Sequence, residues 1–345
     1  MEAPNFPPLP VSPMVPYAEI ITALRQNGLV RSASPVIEPL TGGVSSDIIK
    51  IVDGDRCLVV KRALAKLKVK DDWFADTGRN NVEQLFLQRV GAMVPHAVPR
   101  LLFADASAGW FAMEYLGGEL QNWKTALLRG DATPEHAKQA GELLGTIHRE
   151  TWGRPAVARE FSTWRNFHQL RVEPYLETSA RRVPDLAPWL LAEAASLGQT
   201  ALALVHGDFS PKNMLVAPGR LVLLDAEVAW YGDPAFDLAF FLTHLHLKGL
   251  YHAASPKPYL DLANTFWAAY VAALGATADA ELEARTVRLT LCLLLARVHG
   301  KSPVEYLTEP HQRDTVTAFV HRHLPRPPMR VADLTSAWLS ALPPQ

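Results

Sequence analysis

The chain has 345 residues, 48% of them hydrophobic and 20% charged, and a formal net charge of −1. That length and apolar content allow a large core in two domains or one bilobal unit and exclude disorder as the default, while the near-neutral charge supplies no overall field to recruit nucleic acid or an anionic membrane. Only Cys57 and Cys292 are present, without metal-ligand spacing, which fits a reducing cytoplasm and excludes a disulfide scaffold.

The start, MEAPNFPPLPVSPMVP, lacks a basic region followed by an apolar run, so it reads as a Pro-rich arm and not as a secretory signal. Residues 17–28 predict a helix with Ile20, Ile21 and Leu24 on one stripe and Gly28 as its stop. A strand at 36–40 and another at 48–52 flank Thr41-Gly42-Gly43-Val44-Ser45-Ser46, a small-residue loop of the kind that covers phosphates. Asp53-Gly54 then signals a hairpin into Cys57-Leu58-Val59-Val60-Lys61-Arg62. Period-two alternation puts Lys61 on the face of Cys57 and Val59. The plain reading of the basic run 61–70 is a solvated strand end and loop. A helix over 80–91 buries Val82, Leu85, Phe86 and Val90, with Glu83 bordering that face. Strands at 101–104 and 110–114 lead into Glu114-Tyr115-Leu116-Gly117-Gly118, where the pattern breaks.

Helical spacing follows at 134–148, 164–176, 189–197, 236–247, 258–274 and 282–299. His148 reads as a capping or core residue. His244 and His246, two apart, do not share a helix face, which argues against zinc. The longest apolar stretches, 238–242 and 289–296, fall short of the about 20 residues that span a bilayer, so no membrane partner is expected.

Chemistry concentrates in LVHGDFSPKNMLVAPGRLVLLDAEVAWYGDPAFDL, residues 204–238. Residues 214–216 and 221–224 predict short strands around a Pro218-Gly219 turn. A two-residue loop sets Asn213 opposite Leu224 and beside Asp225; a three-residue loop with a bulge sets it opposite Asp225. Asp208 enters the same neighbourhood from a third apolar run. Hard cations take oxygen ligands, and Mg²⁺ uses one or two carboxylates with phosphate and water, a role that suits Asn213 and Asp225. Asp208 precedes Asn213 by the five-residue interval that separates the acceptor-orienting carboxylate from the metal-binding Asn in a kinase catalytic loop.

His206-Gly207-Asp208 with Asn213, Asp225-Ala226-Glu227, and Gly232-Asp233-Pro234-Ala235-Phe236-Asp237-Leu238 resemble the aminoglycoside phosphotransferase superfamily of small-molecule kinases. The Asp-x-Glu form is more similar to methylthioribose kinase and choline kinase than to the resistance enzymes. The resemblance, over about residues 36 to 300, implies an α+β, bilobal, protein-kinase-like fold: an arm and helix at 1–35, a small β-rich nucleotide-binding lobe at 36–117, and a larger, mainly helical catalytic and substrate-binding lobe at 118–345. It implies ATP and Mg²⁺ as cofactors, with Gly42, Gly43 and Ser45 over the phosphates, Lys61 on them, Glu83 holding Lys61, and Glu114 and Leu116 at the adenine hinge. Asp208, Asn213 and Asp225 become the catalytic set, and Asn213, Asp225 and Glu227 the metal ligands. Asp47 stands where the family commonly has Asn. The expected activity is ATP- and Mg-dependent phosphorylation of a hydroxyl on a small-molecule metabolite, by a cytoplasmic enzyme without nucleic-acid partners. An inactive nucleotide-binding homologue and an aminoglycoside-modifying kinase are the alternatives. The helices after Pro258 carry Asp261, Glu281, Glu283 and Glu305 beside Arg285, Arg288 and Arg297, no acidic cluster for a polycation, so a neutral or zwitterionic acceptor is expected.

Overall fold

A computed structural model describes residues 17–40, 46–64 and 78–342. Gly42, Gly43 and Ser45 therefore lie outside the described residues. Helix α1 (Tyr17–Gln26) precedes strands β1 (Val36–Pro39), β2 (Ser46–Asp53) and β3 (Arg56–Ala63). Helix α2 (Arg79–Met93) follows, then β4 (Leu101–Asp105) and β5 (Trp110–Glu114). These five strands form one antiparallel sheet in the order β1-β2-β3-β5-β4. Asp53 pairs with Arg56, so the tight turn is Gly54-Asp55, with Gly54 at φ +64° where a Cβ would be strained.

Alternation along β3 assigns its two faces. Leu58 and Val60 join Ile49, Ile51, Trp110 and Ala112 in a layer closed by Ile20, Ile21 and Leu24 of α1. Lys61 points the other way, toward α2, whose Val82, Phe86 and Val90 belong with Phe111 to the main core. Leu85, expected on that buried stripe, is instead 38% exposed.

The remainder is mainly helical. After β6 (Gln121–Asn122) come α3 (Trp123–Leu128), α4 (Pro134–Thr151), α5 (Pro155–Glu160), α6 (Trp164–Phe167), α7 (Thr178–Arg182) and α8 (Ala187–Gln199). The expected helix at 164–176 runs on to Arg182, but His168–Glu177 is wound as a π-helix around Pro174. Proline has no N–H for the i−4 bond and its ring crowds that carbonyl, which widening of the turn relieves. Then β7 (Ala203–Val205), β8 (Met214–Ala217), β9 (Arg220–Leu223) and β10 (Trp230–Gly232) lead into α9 (Ala235–Tyr251), α10 (Lys257–Leu274), α11 (Ala280–His299), α12 (Pro310–His323) and α13 (Val331–Ala341). The buried face of α13 is anchored by Trp338, whose indole N–H donates to the His246 carbonyl at 3.0 Å.

Helices α4 and α10 touch backbone to backbone. A Cβ added at Gly141 would stand 2.4 Å from the Phe266 carbonyl oxygen, and one at Gly145 2.8 Å from that of Tyr270. Gly141→Ala gains about 1 kcal/mol of helix propensity, yet it must part the helices, an overpacking cost of typically 1–3 kcal/mol or more. The clash wins because a carbonyl within a helix cannot swing away. A lower thermal midpoint is expected for this variant; an unchanged or raised midpoint would show that the two helices separate freely.

Candidate active site

The loop between β7 and β8 is fixed first by its backbone. Gly207 has φ +78°, and a Cβ there would meet the Val228 carbonyl oxygen at 2.6 Å, so glycine is required on both counts. The carboxylate of Asp237, in the first turn of α9, accepts from the His206 N–H at 2.7 Å and the Gly207 N–H at 2.9 Å. The His206 ring is buried, which lowers its basicity, and it accepts from the Asp208 N–H through Nδ1 at 3.1 Å. With that nitrogen an acceptor, Nε2 carries the proton toward the Leu224 carbonyl, 3.1 Å away. The His206-Gly207-Asp208 sequence is thereby tied to both β9 and α9.

The hairpin closes with the two-residue loop. Met214 pairs with Leu223 and Ala217 with Arg220, and the Leu224 N–H reaches the Asn213 carbonyl at 2.8 Å. Asn213 thus lies opposite Leu224, and Asp225 follows in the left-handed region at φ +64°, a conformation Asp tolerates better than most residues. The Asn213 amide donates to the Asp208 carbonyl at 3.0 Å, joining the two residues through side chain and backbone.

Around these lies a network of buried ion pairs. Lys61, 3% exposed, bridges Glu83 of α2 at 2.6 Å and the Asp225 carboxylate. It is therefore not a solvated strand end. Burial alone would lower the Lys61 ammonium, but Asp225, Glu83 and Glu227 together hold it well above the usual lysine range. Burial would likewise raise Asp225, and Lys61 and Lys212 outweigh it and keep that carboxyl well below the carboxylate range. Burial dominates at Glu83 and pushes it up despite Lys61. Carboxylate oxygens of Glu83, Asp225 and Glu227 lie within 4.8 Å of one another, a cluster of hard oxygen donors.

Glu227 is less open than its neighbours. Its Oε2 receives Arg79 Nε at 3.1 Å, and its backbone carbonyl accepts from Asn166 at 2.8 Å. Asp208 is paired as well: Arg171 Nη2 and Lys212 Nζ both lie 3.0 Å from its Oδ2. Burial would raise the Asp208 carboxyl, yet the two cations bring it below its usual value. Arg171 comes from the π-helix and also donates to the Gly207 carbonyl at 2.5 Å.

The structure brings together Lys61, Glu83, Asp225 and Glu227, and it joins Asp208 to Asn213. Glu114 ends β5, with its N–H on the Arg100 carbonyl at 3.0 Å and its carboxylate accepting the Arg100 N–H at 2.9 Å. Leu116 follows in the link to β6. His148 is a core residue, its Nδ1 3.0 Å from the Tyr270 hydroxyl and its Nε2 3.6 Å from Asp237. Sequence reading did not single out Arg79, Arg171 or Lys212. Lys212 had a signal, a lone cation inside the 206–213 loop, whereas Arg79 and Arg171 had none.

A family model described as "Phosphotransferase enzyme family" matches residues 36–290. Methylthioribose kinase of Yersinia pseudotuberculosis is 27% identical over 275 residues, covering 70% of this chain and 67% of that protein. Among solved structures, a choline/ethanolamine kinase family protein from Mesorhizobium loti superposes with a TM-score of 0.52 at 15% identity, covering 93% of this chain and 99% of that one. An aminoglycoside phosphotransferase from Alicyclobacillus acidocaldarius gives 0.53 at 16%, covering 96% of each. The sheet-rich first third and helical remainder are thus the α+β, kinase-like fold of those neighbours. With residues 36–290, well over half of the chain, matched by that family model around this network, the chain belongs to the phosphotransferase enzyme family and is a small-molecule kinase.

Proposed function

We propose that the chain transfers the γ-phosphate of ATP, with Mg²⁺, to a hydroxyl of a small-molecule metabolite. The observation that carries this reading is the Lys61 ammonium held between Glu83 and Asp225, the residue after Leu224, whose N–H is bonded to the Asn213 carbonyl across the hairpin. Nucleotide binds in this reading between the unit 36–117 and the unit 118–345, with Gly42, Gly43 and Ser45 over the phosphates and Glu114 and Leu116 beside the base. Lys61 meets the phosphates. Glu83 would keep Lys61 aimed, and the Asp225 carboxylate would serve as a ligand to the metal.

The donor set fits Mg²⁺. Asn213 has committed its amide nitrogen to Asp208, which leaves its oxygen as the ligand atom, and Asp225 stays ionised and is 29% exposed at its side chain. Glu227 completes the oxygen set directly or through water. When bound, the cation neutralises charge on the transferring phosphoryl group. Asp208 orients the acceptor hydroxyl and takes its proton. As a carboxylate held below its usual range it is a weak base, which suits a loose transition state in which the proton leaves late. Lys212, half exposed beside it, is placed to meet the phosphate oxygens. A reducing cytoplasmic setting agrees with two unpaired thiols, and no helix among the described residues is long and apolar enough to cross a membrane.

Calorimetric titration with ATP tests the metal requirement. With Mg²⁺ the affinity is expected to be at least about tenfold tighter than in excess chelator, since one carboxylate–metal–phosphate bridge contributes more than the about 1.4 kcal/mol that a factor of ten requires. Equal affinities would remove Asn213 and Asp225 from the metal site.

A further inference from the structure

Most charges on the helices are answered within the fold: Arg285 by Asp233, Arg288 by Glu193, Lys257 by Asp261. One row is not. Phe236, Phe240, His244 and Lys248 recur every fourth residue on α9 and so share a face that runs away from the catalytic loop. Near its start the Arg171 guanidinium lies 5.9 Å from the Phe240 ring while holding Asp208. Beside Phe240 stands Tyr175, whose hydroxyl accepts from Arg297 Nη1 at 3.1 Å. At the far end Lys248 is fully buried, its Nζ 5.1 Å from the centre of the Tyr306 ring.

Three buried groups here make no hydrogen bond: Lys248 Nζ, Arg297 Nε and Tyr306 Oη. All three are donors. Burial pushes the Lys248 ammonium down to about 7; Lys124 adds to this, Glu305 opposes it in part, and Arg297 adds further. His244, lowered first by burial, also feels the positive charges of Arg297, Lys248, Lys212 and Lys124. The carboxylates paired with the row are Asp208 at one end and Glu305, which meets Lys124 at the solvent rim. A buried ammonium without a counter-charge is strongly disfavoured unless a partner supplies one.

We propose that this row is the acceptor subsite for an acidic group, so that the compound phosphorylated at Asp208 is a hydroxylated metabolite whose carboxylate or phosphate pairs with Lys248, Arg297 and Tyr306. This rests on the kinase reading above and replaces the neutral or zwitterionic acceptor suggested by the helix sequences. The axial rise from Phe240 to Lys248 is about 12 Å, so hydroxyl and acid lie on the order of 10 Å apart. Glu305, its side chain 63% exposed, is the protein's own anion at the rim, and the ligand's acid enters by taking its place.

The test is thermal-shift and calorimetric binding with Mg²⁺ and a non-hydrolysable ATP analogue bound, using wild type and Lys248→Met. The acidic probes are gluconate, glycerate, glycerol 3-phosphate and ribose 5-phosphate; the controls are ribose, methylthioribose and choline. Acidic probes should stabilise the wild type and the controls should not, and a response confined to carboxylates or to phosphates identifies the acid. In Lys248→Met the affinity for the best acidic probe should fall at least about thirtyfold, with nucleotide affinity unchanged. Its unliganded melting temperature should hold or rise, because an unpaired buried charge is gone. The proposal is overturned if no acidic probe stabilises the wild type, if a control does so as well as the acids, or if Lys248→Met keeps acid binding. Absence of nucleotide binding would instead overturn the kinase reading.

Discussion

Asp208→Asn should lower kcat by roughly 10²–10⁴-fold, a loss of about 3–5.5 kcal/mol of transition-state stabilisation, while leaving ATP affinity nearly unchanged. Asparagine keeps the volume and one carbonyl oxygen, but it removes the charge that attracts the acceptor's proton. Lys61 and Asp225 stay paired, so the nucleotide end of the site is untouched. The variant carries a structural penalty too. Arg171, 8% exposed at its side chain, has its charge answered by Asp208. Breaking a buried pair outright costs about 3–5 kcal/mol, and the retained oxygen, still able to accept from Arg171, should limit this to about 1–3 kcal/mol. A lower melting temperature together with slower turnover is expected. Retention of more than about a tenth of wild-type kcat, where chemistry limits the rate, would show that Asp208 does not take the proton.

That penalty marks the limit of what the sequence disclosed. The hairpin was legible, since Pro218-Gly219 between two short apolar runs has few alternatives, and the register then placed Asn213 against Leu224 as a two-residue loop requires. The direction of Lys61 was legible from alternation, because a strand offers only two faces. Its burial was not. A run of basic residues at a strand end normally faces water, and what draws Lys61 inside comes from residues 22 and 164 positions away, Glu83 and Asp225.

Long-range ion pairs leave no periodic trace. Arg79 and Glu227 are 148 positions apart, and nothing around Arg79 distinguishes it from a surface arginine. Arg171 was hidden differently: it sits inside a helix expected over 164–176 with nothing in the spacing to turn it inward, whereas the backbone widens its turn around Pro174 and carries the guanidinium under Gly207. Helices α12 and α13 escaped because prolines at 325, 327 and 328 and a polar α12 suggest a tail, although Trp338 is fully buried. The pair Gly141 and Gly145 reads as a local weakness in a helix until α10 is laid against it.

Asp225→Asn should abolish most of the metal-dependent gain in ATP affinity and reduce turnover by on the order of 10³-fold or more, since a charged ligand to the cation that offsets phosphoryl charge is lost. Asparagine is the informative replacement because it accepts the left-handed backbone at φ +64°, where alanine would add strain of its own. Lys61 keeps Glu83, so the fold should persist. Glu227→Gln supplies the contrast. Its carboxylate is bound to Arg79, which is fully buried, so the neutral amide weakens that ion pair and should cost stability, roughly 1–3 kcal/mol. If Glu227 acts mainly by holding Arg79, that variant melts earlier yet keeps its Mg²⁺ response. If it ligates the metal, the Mg²⁺ dependence of ATP binding falls with it. Titrating ATP with and without Mg²⁺ in both variants, beside their melting curves, separates the two roles, and a Mg²⁺ response in Asp225→Asn equal to wild type would remove Asp225 from the metal site.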